Sequence, residues 1–229
     1  MKNVFASDAS EAANFGKSLK VKGQTLLVGA TGASAAYVFG QNEGGANNWG
    51  QAQKLIASDA NAGSEFGLSL DFDQQTAVVG APNTGAGAVY VFDPANGWIE
   101  TQKIQPASGD AGDRFGHSLS LDGKRLVVGA PADDDKGENA GAAYVFGKNQ
   151  NGAFVQQAKI LDVTFGTKGD EFGYSVSVRG DYLAVGAPAD DLRGKDAGAV
   201  HMFLREDGGW ISLLAITQQG SRPYDHFGQ

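Results

Sequence analysis

The stretch 115–146 reads FGHSLSLDGKRLVVGAPADDDKGENAGAAYVF, and its pattern decides the fold. Residues 118–121 alternate polar and apolar side chains, as a half-buried strand does. Residues 126–130 are nearly all apolar and rich in valine, which is typical of a strand covered on both faces. A polar loop then leads to an aromatic strand at 144–146. The stretch therefore predicts three short strands separated by turns.

The same pattern occurs four times along the chain. The dipeptide Phe-Gly recurs at steps of 49 to 57 residues, and an apolar run closing in Gly-Ala follows each of the first four copies. A short strand with an aromatic residue comes next, and a last segment then opens with another aromatic residue. The dipeptides begin at Phe15, Phe66, Phe115, Phe172 and Phe227, and the last segments open at Trp49, Trp98, Phe154 and Trp210. Each copy thus supplies four strands, the number in one propeller blade.

Radial repetition of one sheet explains these copies better than a sandwich, and no segment keeps helical spacing of apolar residues over three turns. We predict an all-β fold: a β-propeller, or a segment of one, of about four four-stranded blades with a period of roughly 50–57 residues. Residues 1–229 would form this single domain. Its parts would be an outer strand at 2–8, repeats at about 9–57, 58–106, 107–162 and 163–217, and a partial fifth copy at 218–229.

Composition excludes several classes of function. The 229 residues include no cysteine, which removes disulfides, thiolate–zinc sites and cysteine nucleophiles. A net charge of −8 argues against nucleic acid as a partner. The apolar runs are too short to insert into a membrane or to form a signal peptide. Serine-nucleophile, phosphate-loop and zinc-helix motifs are also missing, so we predict that the protein is not an enzyme.

Phe-Gly followed by Gly-Ala-Pro at this spacing resembles the FG-GAP repeats of integrin alpha-subunit propellers and their bacterial relatives. The resemblance covers essentially the whole chain. It implies a β-propeller, usually of seven blades, that serves as an extracellular recognition platform. Integrin-type propellers also hold calcium in long loops between first and second strands. The equivalent turns here, such as 121–124, are too short for that, so those metal sites are not carried over.

The strand count leaves the closure of the propeller open. The chain offers four sets of three inner strands but five outer strands, whereas a ring closed by its first strand needs equal numbers. Three arrangements fit: a fragment of a longer propeller, a four-bladed ring with a spare tail, or a partial propeller that associates with copies of itself. An open arc would expose apolar blade faces.

The loops that lead from outermost to innermost strands share one face of a propeller with the loops between second and third strands. These loops together carry more negative charge than the whole chain, so the rest of the molecule is slightly basic. Such a face favours cations or basic partners.

The acidic loops 131–139 and 188–196 supply candidate ligands for a hard cation. Carboxylates on a glycine-bearing loop suit calcium, although neither loop has the Asp-x-Asp-x-Asp-Gly spacing of a dedicated calcium loop. Solvated turns in which aspartate caps backbone amides are the alternative. The candidate metal ligands are Asp133, Asp134, Asp135, Glu138, Asp190, Asp191 and Asp196.

The remaining motifs favour structural roles. The tripeptide at 179–181 spells Arg-Gly-Asp, but the repeat itself demands glycine and a polar neighbour in that turn. The recurring tryptophans are expected to pack at blade edges instead of stacking on sugars. The three histidines, His117, His201 and His226, show no metal-ligand spacing.

We therefore predict a non-catalytic binding or adhesion module that works at or outside the cell surface. Its acidic loop face would recognise a protein partner, with calcium as the candidate ion and no other cofactor. A carbohydrate-binding module, with Trp98 and Trp210 as sugar platforms, is one alternative. A structural propeller segment that joins other copies is another.

Overall fold

The computed structural model describes residues 3–8, 10–162, 168–220 and 222–229. Within these residues sixteen strands form four antiparallel four-stranded sheets, and there is no α-helix. Accordingly, none of the described residues belongs to a helix that could cross a membrane. The all-β prediction of about four four-stranded blades is confirmed.

Each sheet is one blade, formed by four consecutive strands. Blade 1 contains β1 (Phe15–Lys22), β2 (Thr25–Ala30), β3 (Ala35–Gly40) and β4 (Gly50–Leu55). Blade 2 contains β5 (Leu70–Phe72), β6 (Ala77–Ala81), β7 (Ala88–Asp93) and β8 (Ile99–Ile104). Blade 3 contains β9 (Ser118–Asp122), β10 (Arg125–Ala130), β11 (Ala142–Lys148) and β12 (Phe154–Ile160). Blade 4 contains β13 (Ser175–Arg179), β14 (Tyr182–Ala187), β15 (Ala199–Glu206) and β16 (Gly209–Ile216).

The first strand of each blade is the innermost. Strands β1, β5, β9 and β13 contact one another in succession, as strands around a common axis do. Within a blade the strand order β1-β2-β3-β4 runs outward, and the fourth strand is half-exposed. In blades 1 to 3 the second and third strands are almost completely buried, which agrees with their continuous apolar sequences, whereas β14 and β15 of blade 4 are buried only in part.

The Phe-Gly dipeptide has a backbone conformation that favours glycine at its second position. The glycine has φ between 90° and 95° in all five copies, a region that residues with a side chain rarely enter. The phenylalanine ring packs edge-to-face on the first ring of the third strand, as Phe115 does on Tyr144 at 5.2 Å between centroids. The dipeptide therefore fixes the entry of each inner strand.

The Gly-Ala glycine explains how neighbouring blades approach each other. A Cβ atom on Gly129 would lie 1.9 Å from the carbonyl oxygen of Gly173, the Phe-Gly glycine of the next blade. The Ser118 hydroxyl donates a hydrogen bond to that same oxygen at 2.8 Å. Equivalent contacts join Gly29 to Gly67, Gly80 to Gly116 and Gly186 to Gly228. The two halves of the repeat motif thus meet across every junction between blades.

The four blades form an open arc. The inner-strand residues Leu70, Phe72, Leu121 and Val178 are at most 8% exposed because each packs against the preceding blade. Their counterparts in blade 1, Leu19 and Val21, are 66% and 57% exposed. Among the described residues no blade packs against this side of blade 1, which excludes the four-bladed ring as the arrangement of this structure.

Residues 3–8 differ from the sequence-based prediction of an outer strand at 2–8. The described part of that segment forms no strand. An outer strand must pair with the third strand of its own blade, and the described residues contain no third strand for this segment to pair with. Asp8 instead accepts a hydrogen bond from the hydroxyl of Tyr37 in blade 1, at 2.9 Å.

Candidate functional site

The loop face consists of the loops that enter each first strand and the loops between second and third strands. Backbone hydrogen bonds tie these two sets together across blades. The amide of Gly169 donates to the carbonyl of Glu138 at 2.9 Å, and the amide of Glu171 donates to Asn139 at 3.1 Å. The amide of Tyr224 makes the same kind of bond to Lys195, at 2.9 Å. The loops of neighbouring blades are therefore held to one another.

Each blade presents one polar corner to the loop face. The corner is the first aromatic residue of the third strand, the residue paired with it on the fourth strand, and the loop carboxylates beside them. The paired residues are Tyr37 with Lys54, Tyr90 with Lys103, Tyr144 with Lys159, and His201 with Ala215. In blades 1 to 3 a lysine thus stands beside a tyrosine.

The lysine in these three corners neutralises the carboxylates. Lys103 Nζ lies 2.6 Å from Asp59, which also accepts a hydrogen bond from Tyr90 at 2.7 Å. The bonds from Lys103 and then Tyr90 lower the pKa of Asp59. Lys54 pairs with Asp8 in the same way in blade 1.

In the corner of blade 3 the charges are more deeply buried. Asp133 is 1% exposed, and its Oδ2 lies 2.7 Å from both Tyr144 Oη and Lys159 Nζ. Burial and then the hydrogen bond to Asp133 raise the pKa of Tyr144. Burial favours the neutral form of Lys159, but its bonds to Asp133 and Asp135 outweigh that effect and raise its pKa. The lysine therefore stays charged.

The corner of blade 4 has a different composition. His201 stands in place of the tyrosine, and Ala215 leaves no cation in place of the lysine. The Nε2 atom of His201 lies 3.2 Å from Asp190 Oδ2, and Nδ1 lies 3.4 Å from Asp162 Oδ2. All three side chains are buried. Among the described residues, this is the one group of three acidic, histidine or cysteine side chains whose ligand atoms lie near one another, within 4.8 Å.

The seven predicted calcium ligands are not gathered into one cluster of this kind. Asp134 Oδ1 accepts the amide of Asn139, and Asp191 Oδ1 accepts the amide of Asp196, both at 2.7 Å. Asp133 and Asp135 contact Lys159, and Glu138 pairs with Lys168. Only Asp190 joins the blade 4 corner, where it meets two residues that the sequence analysis did not select. Calcium binding at these loops stays a prediction.

The other candidate motifs occupy structural positions. The Arg-Gly-Asp tripeptide forms the tight turn between β13 and β14, where Gly180 has φ of 56° and its amide donates to Asp122 at 2.7 Å. Trp210 lies under the guanidinium of Arg125. Trp98 packs on Phe72 and lines a groove of 490 Å³ on the face opposite the loops. Sugar stacking at Trp98 stays an untested alternative.

Comparison with known proteins agrees with this architecture. A family model described as the FG-GAP repeat matches residues 49–92, 98–146 and 154–203, which is more than half of the chain. The chain belongs to the FG-GAP repeat family. Each match begins with an outer strand or its opening aromatic residue and continues into the first three strands of the next blade. No curated protein matches this FG-GAP chain.

Two solved structures are similar to the FG-GAP chain in fold. A functionally unknown protein from Desulfotomaculum acetoxidans DSM 771 has a TM-score of 0.64 at 9% identity, covering 95% of this chain and 62% of that one. The N-terminal domain of Nup159 has a TM-score of 0.49 at 13% identity, covering 85% of this chain and 46% of that one. The FG-GAP chain thus spans less than two thirds of either protein. At such low identity the first likeness supports the propeller fold alone.

Proposed function

We propose that this FG-GAP segment is a non-catalytic recognition module that binds a protein partner with a basic patch through the loop face. The observation that carries the proposal is the position of the two longest loops between second and third strands, 131–141 and 188–198. They expose the carboxylates of Asp134, Glu138 and Asp191 above blades 3 and 4. Rigid blades that present variable loops are the usual arrangement of a binding surface.

The charge of the loop face supports a basic partner. The lysines of the three corners reduce its negative charge without cancelling it, and Lys136, Arg193 and Lys195 on the long loops do the same. The remaining carboxylates attract cationic groups and repel polyanions such as nucleic acid. We place the module at or outside the cell surface, where calcium reaches the concentrations at which weak extracellular sites fill.

The triple variant Asp134→Asn, Glu138→Gln, Asp191→Asn tests the proposal. The amide oxygens that replace the aspartate carboxylates keep the loop hydrogen bonds, so the fold is retained while three charges are lost. Each exposed charge pair is worth up to about 1 kcal/mol, so we expect roughly tenfold or more weaker binding of a labelled arginine-rich peptide. Fluorescence anisotropy measures this affinity, with and without calcium at about 1 mM.

A matched variant controls for overall charge. Glu43→Gln, Glu206→Gln, Asp207→Asn removes three exposed charges from the opposite face. We expect it to bind the peptide as the wild type does. Equal weakening by both variants would mean non-specific attraction and would contradict the proposal. An affinity unchanged by calcium would remove the calcium part of it alone.

The open ends of the arc favour a second candidate function, the joining of blades from separate copies. The exposed Leu19 and Val21 of blade 1 are the positions that pack against a preceding blade elsewhere in the chain. At the other end, blade 4 exposes Leu213, Leu214 and Tyr182 by 44% to 54%. Head-to-tail association of two copies would cover one surface of each kind.

The variant Leu19→Asp, Val21→Asp tests this association. We expect the wild type to gain mass with concentration in multi-angle light scattering, and the variant to stay monomeric because a charge cannot be buried at the junction without a partner. Val155→Asp is the control, since Val155 is 51% exposed on the outer strand β12. A wild type that is monomeric at every concentration would exclude self-association.

A further inference from the structure

We propose that the corner of blade 4 binds a divalent transition-metal ion through Asp162, Asp190 and His201. This site is independent of the proposed protein-binding function and of the predicted calcium loops. It lies beneath the loop face, where Asp162 just after β12, the loop that follows β14 and strand β15 come together. All three residues belong to the described part of the chain.

The first support is the geometry of the three side chains. Asp190, His201 and Asp162 are 1%, 4% and 8% exposed, so two carboxylates lie close together away from solvent. A divalent ion held between the two carboxylates would stabilise them in this buried position, since burying charge is costly unless it is paired or coordinated. The ligand atoms lie within 4.8 Å of one another, close enough for one ion to gather them after small side-chain movements.

The second support is the comparison of the four corners. In blade 3 a lysine ammonium occupies the space between Asp133 and Asp135, and in blades 1 and 2 a lysine contacts Asp8 or Asp59. Blade 4 keeps Asp190 in the place of Asp133 and brings Asp162 to the same corner, but it has Leu192 in the place of Asp135 and Ala215 where the lysine stands in its neighbours. At the same corner it replaces the tyrosine, which is a poor metal ligand when protonated, by an imidazole. The cation has been removed and a ligand has been added.

The surroundings of the site hold the ligands in place. The amide of Leu192 donates to Asp190 Oδ1 at 2.7 Å, which leaves Oδ2 directed towards the histidine. The ring of Phe172 packs edge-on against the imidazole at 5.4 Å. Such supporting contacts orient metal ligands and are part of a working site.

The donor set selects the class of ion. One imidazole nitrogen with two carboxylates suits zinc, cobalt, manganese or iron in the divalent state, whereas calcium and magnesium prefer oxygen alone. Three protein ligands leave at least one coordination position for water or a further group.

A metal-free arrangement is the competing explanation. Both ring nitrogens of His201 face a carboxylate, so a protonated imidazole could itself serve as the cation between Asp162 and Asp190. The two explanations differ in what they predict for added metal. If the imidazole ring alone satisfies the two carboxylates, added metal ions should not bind there.

Calorimetric titration of the chelator-treated full chain with Zn²⁺ is the test, and Co²⁺ absorption spectroscopy reports the ligand environment. We expect one saturable site per chain, a visible Co²⁺ band that shows nitrogen and oxygen ligands, and a higher melting temperature with Zn²⁺ by mass action. The variant His201→Tyr, Ala215→Lys rebuilds the corner of the other blades and should lose saturable binding while staying folded.

Two further variants keep the test decisive. Asp162→Asn changes one ligand without changing size and should weaken Zn²⁺ binding at least about tenfold. His226→Gln removes another histidine of the loop face and should bind Zn²⁺ as the wild type does. Absence of saturable binding of either ion to the wild type, or binding that survives in the rebuilt corner, would overturn the proposal.

Discussion

Replacing Gly129 by alanine is expected to destabilise the protein by at least about 3 kcal/mol. The added methyl group would lie 1.9 Å from the carbonyl oxygen of Gly173 and 2.2 Å from the Ser118 hydroxyl. The oxygen belongs to the backbone of the next blade, so blades 3 and 4 would have to separate to relieve the clash. Chemical denaturation followed by circular dichroism measures the change in the free energy of unfolding.

Gly209→Ala is the matched control for this substitution. Gly209 has an ordinary φ, and its new methyl group would meet only the Glu206 carbonyl oxygen at 3.7 Å. We expect its stability to change by less than about 0.5 kcal/mol, because the surface site has room. A Gly129→Ala protein as stable as the control would show that the blades do not approach each other this closely.

Phe115→Ala is expected to cost about 3 to 5 kcal/mol of unfolding free energy, the usual range for a large aromatic residue lost from a core. Phe115 is completely buried in the cluster that joins blades 2 and 3, where it contacts the rings of Tyr144 and Phe146. Alanine would leave a cavity that the surrounding strands cannot fill. Thermal and denaturant unfolding both measure the loss.

The equivalent substitution in blade 1 distinguishes the energy of packing within a blade from the energy of packing between blades. Phe15 packs on Tyr37 and Phe39 as Phe115 packs on its own blade, but it is 41% exposed because no blade precedes it. Phe15→Ala should therefore cost less than half as much as Phe115→Ala. Equal losses would mean that the contact between blades adds nothing to the stability of the ring residue.

The architecture could be predicted from the sequence because the repeat is explicit. The spacing of the Phe-Gly and Gly-Ala motifs gave the number of blades, and the alternating and continuous apolar runs gave the order of strands within a blade. Each motif has a simple physical cause, a glycine with positive φ or a close backbone contact with the next copy, and that cause recurs in every copy.

Which acidic loop residues are buried and which are exposed could not be predicted from the sequence. Asp133 and Asp134 are neighbours in a loop that reads as uniformly acidic, yet Asp133 is buried against Lys159 and Asp134 is exposed. Burial at this corner depends on a lysine that lies on a different strand. Composition alone therefore overstates how much of the loop charge is available to a partner.

The corner of blade 4 could have been found by comparing the copies instead of seeking metal-ligand spacing. His201 and Ala215 are the points where the fourth copy departs from a tyrosine and a lysine that the first three share. The ligands are distant in sequence, and only strand pairing brings them together. The difference between the fourth copy and the other three was therefore the sequence signal for this site, whereas the spacing of the histidines gave none.

The contact between the two repeat glycines has a consequence for how such a protein can change in length. Every junction uses the same two stretches of backbone, and the Gly228 carbonyl already accepts the Ser175 hydroxyl as its counterparts do in the other blades. A duplicated copy could pack against its neighbour through this same glycine contact, without any compensating substitution. The protein should therefore tolerate the gain or loss of whole copies of about fifty residues more easily than a short insertion inside one copy. Such an insertion would move one glycine away from the glycine of the next copy that it contacts.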